Sequence, residues 1–297
     1  FALSSLSFLK TPCSITTSPL NSIFDIPQFE DPVYLTIGVY DGLHLGHQAI
    51  LKQLHKESKK RGKQVVLTFS NHPSTYLRPN TPAPLLIPFE QRLKLLEAYG
   101  IDLVIALPFD EGFANQTYKD FFQALSEHLP IKHLIVGDDA RFGKNRAGGP
   151  QEIKSLNLFK TTYLPKEAYH KELISSGSIR SYLEKGVLKK VKKMLGRPYS
   201  LRLPFDAMNV IREDDIQYKW TSGAEKICLL PSAVYAVDIH TNEAVYDIQY
   251  GHVRRQSLRN NSWDMAKYEV AAHRYVDISD SQYGVAMLND CKYGHKV

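Results

Sequence analysis

Thr36-Ile37-Gly38-Val39-Tyr40-Asp41-Gly42-Leu43-His44-Leu45-Gly46-His47 joins an apolar strand to a helix through three glycines and two histidines. Val33, Leu35 and Ile37 alternate as a strand does, and Ile50, Leu51 and Leu54 form a short helical stripe after His47. The glycine-rich turn therefore falls at a helix N-terminus, where unpaired N–H groups and the positive end of the helix dipole favour an anion. Small residues at Gly42 and Gly46 let the backbone approach that anion closely. His44 and His47, three apart, are expected on the first helical turn, pointing the same way. Imidazole donates a hydrogen bond to phosphate whether or not it is charged. The stretch reads as a nucleotide-phosphate cradle.

Working outward, short apolar runs alternate with amphipathic segments. Gln64 to Phe69 is a buried strand running into Ser70-Asn71-His72-Pro73. Phe89 to Tyr99 is a helix ended by Gly100, Leu103 to Leu107 a strand, Tyr118 to Leu129 a helix, and Leu134-Ile135-Val136 a strand leading into Gly137-Asp138-Asp139. That alternation means α/β architecture with a parallel sheet covered on both faces, where ligands gather at the carboxyl ends of the strands. From Arg141 to Gly149 three cations and three glycines suit a mobile clamp over phosphates better than a packed turn. Ile174 to Arg180 opens a helix expected to run through Leu195, and Ser175 and Ser176 as caps with Arg180 in the first turns make a second anion site.

Composition bounds the rest. At 297 residues the chain exceeds one ordinary core, so two domains, or one plus a fragment, are expected. No run of some 18 apolar residues is present, and Phe1 to Ser22 lacks a basic leader, so neither a membrane span nor a secretory signal is expected. Cys13, Cys228 and Cys291 are far apart without ligand-like spacing, which suggests reduced thiols in a cytoplasm and no structural zinc. A net charge of +6, concentrated in Lys59-Lys60-Arg61 and Lys189 to Lys193, suits polyanionic small substrates; nucleic acid is not expected, because no basic surface interleaved with aromatics occurs. Nothing in the sequence sets an oligomeric state.

Gly38 to His47, Thr68-Phe69 with His72-Pro73, Leu134 to Gly149, Ile174 to Arg180 and Leu195-Gly196-Arg197-Pro198-Tyr199-Ser200 fall in the order and spacing of prokaryotic FAD synthetases. From about Val33 to Ser200 the chain resembles the adenylyltransferase half of the bifunctional riboflavin kinase/FMN adenylyltransferase family. It departs at Val39-Tyr40, where the family more often has Asn-Phe, at Asn71 for Pro, at Ala140 for Phe and at Gly177 for Thr. The resemblance implies a Rossmann-like nucleotidyltransferase domain, in which the FMN phosphate attacks the α-phosphorus of ATP and pyrophosphate leaves. It implies His44, His47 and Arg180 as catalytic groups, and Gly38, Asp41, Gly42, Gly46, Ser175 and Ser176 on the ATP side. Asn71, His72, Asp138, Arg141 and Arg146 are implied on the FMN side, with Mg²⁺ arriving with ATP and no protein metal site.

After Ser200 the character changes. The Pro-Thr pair of a riboflavin kinase is missing from Leu201 to Val210, and Pro231 to Tyr235 resembles a later strand of that module. Residues 201 to 236 are therefore expected to be a degenerate kinase remnant, and riboflavin phosphorylation is not expected. Beyond about Val237 the segments have period two, as in Tyr246 to Tyr250 and Tyr283 to Met287, which is antiparallel β material. Gln249 to Val253, Asn261 to Val270 and Tyr283 to Gly294 resemble the C-terminal β region of family 38 α-mannosidases. The metal-binding and nucleophilic aspartates of that family have no counterpart here, so Asp264, Glu269 and Asp277 read as structural or solvent-facing carboxylates, and 237 to 297 as a chimeric fragment. Beside adenylyl transfer stand two other readings: a flavin- or nucleotide-binding protein without turnover, and a mannosidase-related glycosidase fragment.

Overall fold

The computed structural model describes residues 22–26, 28–59, 61–212, 215–221, 226–228, 230–231, 233–240, 245–253, 267–272 and 283–289. The expectations placed on Phe1 to Asn21, on Cys13 and Cys291, on Lys60 and Ser232, on Asp264 and Asp277, and on 261–266 and 290–294 lie outside these residues. The chain forms two compact units. The first comprises residues up to 39, 47–81 and 93–166; the second comprises 40–46, 82–92 and 167 onward.

In the first unit β1 (Val33–Ile37), β2 (Lys63–Phe69), β3 (Leu103–Leu107), β4 (Ile131–Gly137) and β5 (Lys160–Leu164) make a five-stranded sheet in the order β3-β2-β1-β4-β5. Every pairing is parallel. Val33, Leu35, Val65, Leu67, Leu103, Ile105, Leu134 and Val136 belong to one buried cluster with Phe121, Phe122 and Leu125 of α5 (Tyr118–His128). Alternate positions Tyr34, Thr36, Val66, Thr68, Val104 and Ile135 are buried as well, as a parallel sheet covered on both faces requires. The strand order reverses between β1 and β4, so their carboxyl ends, at Gly38 and Asp138, flank the crevice where such sheets bind ligands. The expected strands and helices recur within a few residues, α3 (Phe89–Ala98) among them; the short helices α2 (Pro73–Leu77), α4 (Glu111–Asn115) and α6 (Pro150–Ser155) are additional, as is β5, whose Lys160-Thr161-Thr162-Tyr163-Leu164 has little apolar content.

Near the amino-terminal half of that sheet, His133 on β4 is buried between Thr162 and Glu57. Its Nε2 lies 2.8 Å from the Thr162 hydroxyl and its Nδ1 3.3 Å from the Glu57 carboxylate, which Lys160 also meets at 3.2 Å. Burial holds the imidazole below its usual value of 6.5, helped by Lys160 and opposed by Glu57. The unfolded imidazole therefore takes up its proton first. Stability from this group is fully present above about pH 6.5 and declines as pH falls below it, until the folded imidazole is protonated as well. Denaturant titrations of wild type and His133→Asn between pH 7 and 5 should show a shallower decline in the variant; parallel curves would refute this role.

The second unit contains the hairpin of β6 (Ala168–Tyr169) and β7 (Glu172–Leu173), α7 (Ser176–Glu184), α8 (Leu188–Leu195) and a six-stranded sheet ordered β11-β10-β13-β8-β9-β12. Its strands are β8 (Tyr199–Arg212), β9 (Asp215–Thr221), β10 (Ala233–His240), β11 (Val245–Val253), β12 (Lys267–Ala272) and β13 (Tyr283–Asn289). All pairings are antiparallel, as the period-two patterning predicts. The two edge strands, β11 and β12, come up against each other, so the sheet rolls back toward closure. The boundary expected at 200 falls inside β8, and β13 pairs with both β8 and β10. The single helix expected from 174 through Leu195 is two helices. Gly186 adopts φ 69°, and the N–H groups of Gly186 and Val187 close the turn on Leu183 and Tyr182. Only glycine takes that left-handed position at no steric cost, so the helix ends there.

Candidate active site

The turn leading into α1 (Leu45–Ser58) is built from left-handed residues: Tyr40 has φ 55°, Gly42 77° and Leu43 42°. Such angles cost non-glycine residues about 1–3 kcal/mol each and persist where the surroundings over-determine them. Here they do. Asp41 is 2 % exposed, and its carboxylate accepts the Leu86 N–H at 2.8 and 3.1 Å and the Arg180 guanidinium at 2.7 Å. Burial pushes that carboxyl above the ordinary carboxylate range, against the opposing pull of Arg180, the Leu86 N–H and Arg92. Arg180 also donates through Nε to the Pro84 carbonyl at 2.6 Å. The Ser176 hydroxyl donates to the Asp41 carbonyl at 3.0 Å, and Ser175 caps α7 in a reciprocal box with Ser178. A Cβ on Gly42 would lie 2.6 Å from the Leu86 side chain, so the turn admits no larger residue.

Two expectations about this turn change. His44 does not share the first helical turn with His47: it is extended (φ −68°, ψ 171°) at the position before α1, because the left-handed Gly42 and Leu43 end the preceding single turn of 3₁₀ helix. His47 is the third residue of α1. The His44 ring is buried and lies over Gly46, whose Cβ, were there one, would sit 3.2 Å from it. Asp41, expected to shape the adenine side directly, turns its carboxylate into its own unit and acts by holding the turn.

Within the first unit the expected site residues cluster at carboxyl ends of strands. Gly38 follows β1 and donates its N–H to Leu67. The Asn71 amide clips the Phe109 peptide from both sides, at 2.7 and 3.0 Å, and His72 caps α2 (Pro73–Leu77) by accepting the Ser74 N–H. Asp138 is exposed after β4, and Arg141 donates to the carbonyls of Asp138 and Ala140. The expected mobile clamp at 141–149 is instead a packed turn. Phe142 is buried and pairs with Gly148, Gly143 and Gly148 press onto Tyr118, and the Lys144 N–H donates to Gln116. Two of its three glycines, Gly143 and Gly148, serve close approach to Tyr118, and Arg141 and Arg146 remain exposed on it. At the end of β3 a cavity of about 440 Å³ is lined by Leu107, Pro108, Asp110, Phe113 and Gln116 among others.

Arg197 carried no role in the sequence reading, although its guanidinium reaches Gly42 at 2.8 Å and Leu43 at 3.3 Å. No local signal marks it beyond a cation following a helix-ending glycine. Among the described residues no three His, Cys, Asp or Glu side chains converge as metal ligands. Burial pushes the Cys228 thiol up to about 12, so it stays protonated and offers no thiolate nucleophile. No helix among the described residues is long and apolar enough to cross a membrane.

Comparison with known proteins gives this geometry its context. The FAD synthetase family model matches residues 26–178, and the C-terminal domain model of glycosyl hydrolase family 38 matches 219–297. A bifunctional riboflavin kinase/FMN adenylyltransferase from Buchnera aphidicola subsp. Schizaphis graminum is 30 % identical over 231 residues, covering 74 % of this chain and 72 % of the relative. The Escherichia coli K12 protein of the same description is 33 % identical over 172 residues, covering 56 % of this chain but 55 % of the relative, so that match spans little more than half its length. A crystal structure described as a macrolide-efflux protein from Streptococcus pneumoniae superposes with a TM-score of 0.75 at 23 % identity, covering 94 % of this chain and 92 % of the other. At that identity the likeness concerns the fold alone. The parallel sheet with its glycine turn, the family model over half the chain and the Buchnera relative agree: the chain belongs to the FAD synthetase family.

Proposed function

We propose that this chain catalyses the adenylyl transfer of its family, moving AMP from ATP to FMN. A phosphate oxygen of FMN forms the new bond to the α-phosphorus while the bond from that phosphorus to the bridging oxygen breaks, and pyrophosphate leaves with the bonding electrons. Such a transfer needs alignment and charge neutralisation, with no covalent enzyme intermediate. The observation that carries the reading is the buried, doubly anchored turn Tyr40–His44 at the head of α1. His44 and His47 hold the ATP phosphates and the charge that develops on them. Arg180, with Ser175 and Ser176 at the head of α7, serves the departing pyrophosphate through donor hydrogens other than those given to Asp41 and Pro84, and Gly38, Gly42 and Gly46 belong to the ATP side. His72, Asp138, Arg141 and Arg146 serve the FMN side, with Asn71 acting through the Phe109 peptide.

The residues assigned to the ATP side offer imidazole, guanidinium and hydroxyl donors, which suit phosphate oxygens; Mg²⁺ would come with ATP, held mainly by nucleotide phosphates and water. Three cysteines without ligand spacing fit a reducing cytoplasm. We also propose residues 201–236 as a kinase remnant and 237–297 as a mannosidase-like segment without glycosidase chemistry. The test supplies the full chain with FMN, ATP labelled at the α-phosphorus and Mg²⁺. Labelled FAD and an equal amount of unlabelled pyrophosphate should appear, and riboflavin in place of FMN should give no FMN. Binding of both substrates without FAD would replace this reading by that of a binding protein, and release of mannose from an aryl mannoside would favour the glycosidase.

A further inference from the structure

Gly196 ends α8 in the left-handed conformation (φ 72°), its N–H returning to Lys192, and the chain then turns Arg197 across the helix end. Both terminal nitrogens of the Arg197 guanidinium donate to main-chain oxygens. One nitrogen donates to Gly42 O at 2.8 Å, the other to Leu43 O at 3.3 Å and to Leu195 O at 3.4 Å. Two residues on, the Tyr199 hydroxyl donates to Leu86 O at 2.8 Å, the same residue whose N–H is held by Asp41. The segment 197–199 thus supports the 40–43 turn directly through Arg197 and through Leu86. Among these contacts, only those from Arg197 bond to the carbonyls of Gly42 and Leu43, the two left-handed residues immediately before His44.

We infer that Arg197 is a positioning residue for His44: it fixes the peptide planes of Gly42 and Leu43, and so the direction in which His44 leaves the turn. Lysine cannot reproduce this role, because a point ammonium lacks the planar fork that spans two successive carbonyls. The inference deepens the adenylyl-transfer reading and rests on it for its catalytic consequence, whereas the clamp itself can be read without turnover.

The experiment uses the full chain carrying Arg197→Met or Arg197→Lys. Hydrogen exchange of a peptide covering residues 40–44 should quicken about tenfold in the methionine variant, while peptides from the parallel sheet keep wild-type rates. The kcat for FAD formation should fall by about 10- to 100-fold, the cost of a small misplacement, with KM for FMN unchanged. Millimolar guanidinium should restore part of that kcat, and the lysine variant should lie between. Wild-type exchange in 40–44 overturns the clamp, and so does a kcat loss accompanied by general unfolding without rescue. Should wild type itself make no FAD, the functional reading fails, and the exchange comparison alone decides on the clamp.

Discussion

Replacing His44 by alanine is expected to lower kcat for FAD formation by about 100- to 1,000-fold, the usual cost of removing a preorganised donor to transition-state charge. The side chain sits at 6 % exposure at the end of a turn whose backbone is anchored elsewhere, by Asp41 and by Arg197. Its loss therefore leaves the turn standing. Thermal unfolding should move by only a few degrees, and KM for FMN should stay within about twofold, because the group acts on developing charge more than on ground-state binding. His44→Gln, which keeps one donor, should retain more activity than alanine. A His44→Ala enzyme within threefold of wild type would remove His44 from the chemistry.

Asp41→Ala is the change with the largest expected effect on stability. It leaves the Arg180 guanidinium, 15 % exposed, without its carboxylate, and removes both acceptors of the Leu86 N–H inside the second unit. Removing one partner of a buried ion pair typically costs about 3–5 kcal/mol, because the charge left behind is neither solvated nor paired. Urea unfolding should show a lower midpoint for the second unit with an unchanged slope. Asp41→Asn keeps an oxygen for the Leu86 N–H and should lose less. Equal stability of wild type and the alanine variant would mean that the pair contributes nothing net, as some buried pairs do when cleanly replaced. In that case the left-handed turn would owe its shape to Arg197 and the packing of Leu86 under Gly42.

The sheet of the first unit was legible because its signals are local. Val65 to Phe69, broken only by Thr68, and Leu103 to Leu107 are apolar runs of strand length, and Phe121, Phe122 and Leu125 repeat at helical spacing. The site glycines were legible for the same reason, since a strand, a Gly-containing turn and a helix follow one another within a dozen residues. Three readings failed where a local pattern was ambiguous. Gly186 inside an apolar 3.6 repeat reads as tolerated until its left-handed φ is seen. The cations and glycines of 141–149 read as a mobile loop because Tyr118, against which the glycines pack, lies more than twenty residues away in the chain. His44 reads as helical because the positive φ of Leu43, a residue that rarely adopts it, is imposed from outside the turn.

By itself the sequence determined the class of the sheet, the strand-end location of the polar clusters and the anion-binding character of the turn, because periodicity, glycines and helix starts are written in neighbouring residues. Only the tertiary structure decided what the polar groups do. Asp41 and Arg180, 139 positions apart, pair with each other, and Arg197 reaches back 155 positions to the Gly42 carbonyl. Asn71 spends its amide on the Phe109 peptide. The physical reason is common to all three: a buried polar group must find a partner, and the chain supplies that partner through the fold and not through the neighbouring sequence.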